Sequence, residues 1–201
     1  MTERTVGELG EFGLVERLTA RFADAGTGEV VIGPGDDAAV VLTPDGRVAA
    51  STDLLVEGRH FRRDWSGAAD IGHKAAAQNL ADIAAIGARP TSLLVGLGAP
   101  PDLPVDWALE LADGLAQECA LVEASVVGGD VVRSDRVVLA VTALGDLAGW
   151  DPVLRSGARP GDLVCLAGRL GWAAAGLAVL SRGFRSPRAL VEAHRRPEPP
   201  Y

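Results

Sequence analysis

The chain has 201 residues, 48% hydrophobic and 23% charged, the composition of a soluble globular protein with apolar material for one good core or two small ones. Nineteen basic against 27 acidic residues leave a formal charge of -8, which argues against a generic nucleic-acid surface and means that an anion site would need metal ions as intermediaries. Cys119 and Cys165 lie far apart with no metal-ligand spacing and read as small buried apolar residues in a reducing compartment.

The start, "MTERTVGELGEFG", mixes charges of both signs and does not read as a signal peptide. Leu9, Phe12, Val15, Leu18 and Phe22 then recur at steps of three and four, predicting one amphipathic helix with those residues inward. In "VVIGPGDDAAVVL" two adjacent acids, Asp36 and Asp37, stand between a Gly-Pro-Gly kink and an apolar run, where a carboxylate needs something positive beside it. "AAVVL" and "RVAAST" flank "TPDG", a tight-turn sequence, and predict a hairpin.

From Ala68 to Ile86 an alanine-rich run carries Ile71, Leu80, Ile83 and Ile86 near one side and ends at Gly87 and Pro90, the strongest helix signal in the chain. Within it Lys74, Gln78 and Asp82 are spaced by four, the pattern of a solvated face with ordinary side-chain pairing, and His73 and His194 also read as solvent-facing. "TSLLVGLG" predicts a buried strand, "VDWALELADGLAQECA" a helix, and "EASVVGG" and "DRVVLAVTALG" two further strands. The fold class is therefore α/β, a mixed sheet packed with helices.

Glycines, prolines and charges from Leu147 to Asp162 mark a connector, and "LVCLAG" followed by "LGWAAAGLAVLSRG" predicts a new strand and helix. We divide the chain into residues 1–148 and 149–201, the second stretch being the start of another α/β domain, too short to bury its own core. The longest apolar stretch, Trp172 to Leu180, is too short to span a bilayer, so the expectation is a cytoplasmic protein with neither membrane nor nucleic acid as partner.

Four acids share a setting: Asp37, Asp53 in "ASTDLLVEGRHF", Asp82 in the alanine-rich helix, and Asp130 in "VVGGDVVRS". Each borders an apolar element, and several carboxylates meeting at one end of a sheet suit a hard cation such as Mg²⁺. Spacing alone leaves the other reading open, because aspartate is common at turns, strand ends and caps. Ser51 and Thr52 add hydroxyls beside Asp53; Gly128 and Gly129 permit close backbone approach to phosphate, or simply make a turn. His60 follows the carboxylate-bearing strand, within reach of a substrate or as an ordinary loop histidine. No Walker loop and no nucleophile elbow is present.

"GPGDDAAV", "STDLLVEGRHF", "KAAAQNLADIAAIGA", "VVGGDVVR", "LRSGARPGD" and "HRRPEPPY" stand in the order and about the spacing found in bacterial thiamine-monophosphate kinases, and the chain resembles that family over essentially its whole length. Single motifs are shared with aminoimidazole-ribonucleotide and selenophosphate synthetases. The resemblance implies the N-terminal domain of the aminoimidazole-ribonucleotide-synthetase-like fold, and ATP-dependent phosphorylation of thiamine monophosphate to thiamine diphosphate with several Mg²⁺ ions. Carried over by residue, it implies metal positions at Asp37, Ser51, Thr52, Asp53, Asp82 and Asp130, ATP contacts at Gly129, Asp130 and Arg155, and a substrate contact at His60, with no role for Asp36. It implies direct attack by the substrate phosphate on the γ-phosphorus, and a homodimer closed through the N-terminal sheet.

Three departures stand out: Val131 and Val132 replace hydroxyls frequent in relatives, Leu111 and Ala112 replace an aromatic pair, and the family has a C-terminal domain of more than a hundred further residues. The competing readings are another ATP user of the same superfamily, or a non-catalytic nucleotide-binding dimerisation module.

Overall fold

The computed structural model describes residues 4–22, 29–34 and 38–201. Its first helix, α1 (Val6–Leu9), opens on a reciprocal cap. The Thr5 hydroxyl accepts the Glu8 N–H at 3.3 Å and the Glu8 carboxylate accepts the Thr5 N–H at 2.9 Å, satisfying donors that a helix start otherwise leaves free. Gly10, at φ 77°, then breaks the chain before α2 (Glu11–Phe22). That break corrects the single predicted helix, because it resets the rotational phase. Leu14 becomes the fully buried residue, Leu18 and Phe22 pack on the core, and Phe12 is left 87% exposed.

The hairpin expected around "TPDG" does not form. Its turn does, with the Gly46 N–H donating to the Thr43 carbonyl at 3.0 Å, but the flanking strands part. The short β2 (Val40–Val41) pairs with β1 (Val30–Ile32), while β3 (Ala49–Val56) lies along β6 (Val138–Asp146). Eight paired residues with β6 outweigh the two that β2 offers.

The main sheet has the order β3-β6-β4-β5, with β4 (Arg89–Ala99) and β5 (Ser125–Arg133) parallel and β6 antiparallel to both β3 and β4. The chain runs β3-α3-β4-α4-β5, where α3 is Ala68–Ala85 and α4 is Val105–Ala120, and β6 then returns between β3 and β4. The predicted mixed α/β fold is thus present. The core lies between the sheet and these helices, built from Leu55, Leu93, Leu97, Leu139 and Val141 against Ile71, Leu80, Ile83, Leu111 and Leu115. α3 and α4 touch where each carries a glycine. A Cβ on Gly72 would fall 2.1 Å from the Leu111 carbonyl oxygen, and one on Gly114 2.1 Å from that of Ala69.

On the opposite face of the sheet Leu54, Leu94 and Val132 are exposed.

Beyond the buried Leu147 the chain is irregular and exposed to Gly171, apart from a short 3₁₀ turn at Arg155–Gly157. The strand expected at 163–168 is absent: no strand is described beside this stretch, and a ladder needs a neighbour. Leu163 and Val164 are fully solvent-facing and Cys165 is exposed, so only Cys119 is the buried thiol expected of both. α5 (Trp172–Ser181) and α6 (Arg188–Arg195) follow and pack together. The segment after α6 then lies back on α3 and α4. The Tyr201 hydroxyl donates to Glu118 Oε1 at 2.6 Å, Glu118 Oε2 accepts from His73 Nδ1 at 2.7 Å, and Arg196 reaches both His73 and Asp70. His73, read from the sequence as solvent-facing, is therefore buried.

Among the described residues no helix is long and apolar enough to cross a membrane.

Candidate functional site

The polar residues of β3 and α3 meet along one seam. In a strand, alternate side chains take opposite faces. Leu55 is buried under α3, and Ser51 and Asp53 share its face. On the helix, residues four apart lie on one side, about 6 Å along the axis, close to the roughly 6.6 Å that two strand residues advance. Asp82 and Gln78 therefore match β3 rung by rung, and Lys74 meets the turn that follows it. Ser51 Oγ donates to Asp82 Oδ2 at 3.1 Å, Gln78 Nε2 donates to Asp53 Oδ2 at 2.8 Å, and Lys74 Nζ donates to the His60 carbonyl at 3.1 Å.

The sequence showed the four-residue spacing but not its partner across the gap. Lys74 and Gln78 are the residues missed there, since the same spacing also describes a solvated helix face. Their signal was a helical period of four opposite a strand of alternating polar residues.

The turn after β3 is held by its own backbone. The Glu57 carboxylate pairs with Arg63 at 2.6 Å and accepts the Val137 N–H at 3.2 Å, and Arg62 lies 4.5 Å over the Trp65 ring. His60 Nδ1 accepts the Val56 N–H at 3.0 Å. Burial of its stem pushes the Lys74 ammonium below the usual lysine range. His194 is lowered first by burial and then by the charge of Lys74.

The remaining candidates stand apart from the seam. Thr52 faces away from α3, donating to the Val141 carbonyl at 3.0 Å and accepting from Thr142 at 3.1 Å. Asp130 is on β5, the other edge strand, opposite Gly96, and its Oδ1 accepts the Val131 N–H at 2.8 Å. Gly129 has a packing reason of its own, because a Cβ there would fall 2.0 Å from the Val95 carbonyl oxygen. Arg155 is in the exposed 3₁₀ turn. Asp37, with Asp36, lies outside the described residues.

The seam offers two carboxylates, a hydroxyl and an amide, all oxygen donors of the kind a hard divalent cation takes. Among the described residues no group of three or more histidine, cysteine, aspartate or glutamate side chains forms a ready cage. What the seam provides is an open, partial shell, which suits an ion that also takes ligands from a polyphosphate.

Residues 35–147 match the family model described as AIR synthase related protein, N-terminal domain. The chain is 47% identical over 197 residues to the thiamine-monophosphate kinase of Mycobacterium tuberculosis, covering 98% of this chain and 59% of that protein. It is 42% identical over 201 residues to the thiamine-monophosphate kinase of Corynebacterium glutamicum, covering 96% of this chain and 59% of the relative. Among solved structures, AaThiL complexed with AMPPCP and TMP superposes with a TM-score of 0.70 at 31% identity, over 98% of this chain and 62% of that one. The chain thus spans about 59% of the length of these curated relatives.

Proposed function

Because the chain belongs to the AIR synthase related protein family through its N-terminal domain, we propose that it carries the ATP- and metal-binding part of a thiamine-monophosphate kinase, phosphorylating thiamine monophosphate to thiamine diphosphate in the cytoplasm. The observation that supports this most is the β3–α3 seam, within a chain 47% identical to a kinase of that name.

In this reading Asp53 and Asp82 hold Mg²⁺, with Gln78 and Ser51 orienting one oxygen of each carboxylate. Bound there, the ion supplies charge neutralisation on the polyphosphate. Asp37, Thr52 and Asp130 are assigned to further ions, and Gly129, Asp130 and Arg155 to ATP, by resemblance to the family. His60 contacts thiamine monophosphate. Transfer between phosphates needs alignment and charge compensation rather than a protein nucleophile. An oxygen of the substrate phosphate bonds to the γ-phosphorus as its bond to the β,γ-bridging oxygen breaks, and ADP leaves with that electron pair.

Residues 1–148 form the ATP-binding and dimerising domain in this proposal, and residues 149–201 begin a second domain. The sheet face that exposes Leu54, Leu94 and Val132 is where a second copy packs.

The test is thermal unfolding with Mg-ATP, with Mg²⁺ alone and with ATP plus EDTA, beside Asp53→Asn and Asp82→Asn. A rise of several degrees with Mg-ATP alone, lost in both variants, is expected. Equal behaviour of wild type and variants would sink the assignment of the seam, and formation of no thiamine diphosphate by the intact protein would sink the activity.

A further inference from the structure

His60 is fastened on every atom that faces its own turn. Its N–H donates to the Val56 carbonyl at 2.9 Å, its Nδ1 accepts the Val56 N–H at 3.0 Å, and its carbonyl accepts from Lys74 Nζ at 3.1 Å. The turn itself is closed by the Gly58 N–H on the Phe61 carbonyl at 2.8 Å, with the Phe61 ring buried beneath it. A ring nitrogen that accepts an N–H bears no hydrogen, so the imidazole hydrogen sits on Nε2. His60 is exposed, and Nε2 is the polar atom that the turn leaves for a ligand.

Lys74 is an unusual anchor for such a turn. Its stem is partly buried, and among the described residues no carboxylate lies within ion-pair distance of it. Its ammonium gives a hydrogen bond to a single backbone carbonyl, that of His60. A desolvated lysine without a counter-charge is costly to keep, and the one thing it fixes here is where His60 stands.

We infer that Lys74 is a positioning residue for His60, and that His60 meets the substrate as an Nε2–H hydrogen-bond donor, so that the atom it selects on the substrate is an acceptor. The second half rests on the proposal that His60 contacts thiamine monophosphate. Two acceptors of that molecule qualify, a phosphate oxygen and a pyrimidine ring nitrogen. A thiazolium carbon or an ammonium-type donor does not.

The test is ¹⁵N–¹H correlation of the imidazole nitrogens in the histidine-labelled chain, whose three histidines are assigned with a His60→Gln variant. The expected result is a single Nε2–H tautomer for His60, with an Nδ1-bound hydrogen at His73 as internal reference. An Nδ1–H pattern at His60 would overturn the inference. Lys74→Met should leave the His73 signals in place and shift or broaden those of His60; unchanged His60 signals would remove Lys74 from its role, and loss of the His73 pattern as well would show a structural residue instead.

Adding thiamine monophosphate should move the His60 Nε2 resonance. If thiamine moves it equally, the acceptor is the ring nitrogen; if only the phosphate ester does, it is a phosphate oxygen; if neither does, His60 is not a substrate donor. In turnover by the intact protein, Lys74→Met should raise KM for thiamine monophosphate about tenfold with kcat nearly unchanged. A fall in kcat alone would contradict the positioning role. An intact protein that makes no thiamine diphosphate would defeat the proposed activity while leaving the tautomer result to stand or fall by itself.

Discussion

Tyr201 shows how one side chain ties a distant segment to the core. Its hydroxyl donates to Glu118, and burial first, then the hydrogen bond and charge of Glu118, push its ionisation far above the ordinary tyrosine range. The sign follows from linkage: an unfolded tyrosine loses its proton near pH 10, whereas the folded one keeps it. The stabilisation is therefore whole below about pH 10 and is lost as pH rises beyond it. Tyr201→Phe should unfold at lower urea than wild type at pH 8, and its midpoint should fall less steeply between pH 9 and 11. Parallel midpoint curves for the two proteins would refute this. None of it was visible in "HRRPEPPY", because Glu118 and His73 are distant in sequence and both look like helix-surface residues. Their burial comes from α3 and α4 facing each other there and from the segment after α6 lying across both. A hydrophobic stripe does not announce that when half of the buried residues of α3 are alanine or glycine.

At the scale of elements, composition placed the long helices and strands well. α4 spans Val105–Ala120, the predicted run, and α3 stops within a residue of its predicted end. Strand partners were harder, because a turn sequence such as "TPDG" sets the local bend but not which backbone lies alongside afterwards. β3 found β6, some 90 residues on, rather than its neighbour in sequence. The seam was half visible for the same reason: the carboxylates and the spacing by four could be read, their facing could not. The contact of α3 with α4 depends on the two reciprocal glycines, and a methyl at either meets a carbonyl oxygen at 2.1 Å. Gly72→Ala should force the helices apart at a cost of about 3 kcal/mol and lower Tm by about 6–12 °C. A melting scan that moves by less than two degrees would show that the pair can separate freely.

For the molecule as a whole, α3 and α4 cover one face of the sheet, and on the other Leu54, Leu94 and Val132 are exposed. Leu54 is 58% exposed on the edge strand β3, where a monomer would gain by carrying polar groups. Pairing through this face should give a particle of twice the 20.7 kDa chain mass, and Leu54→Lys should return it to the single-chain mass with the helical circular dichroism retained. A wild-type chain that stays at 20.7 kDa at all concentrations by light scattering would leave the face without its proposed partner.

The position of β6 also sets an order of events as the chain emerges from the ribosome. β3 is made first among the main-sheet strands, yet β6, its one neighbour in that sheet among the described residues, is made last, ending at Asp146. Until then β4, α4 and β5 can assemble as one parallel unit of mostly local contacts, while β3 waits with an unpaired backbone. The strand carrying Ser51, Asp53 and the approach to His60 is therefore the last of the sheet to settle, and the nascent protein is most open to mispairing during the synthesis of the roughly 80 residues between Val56 and Val138.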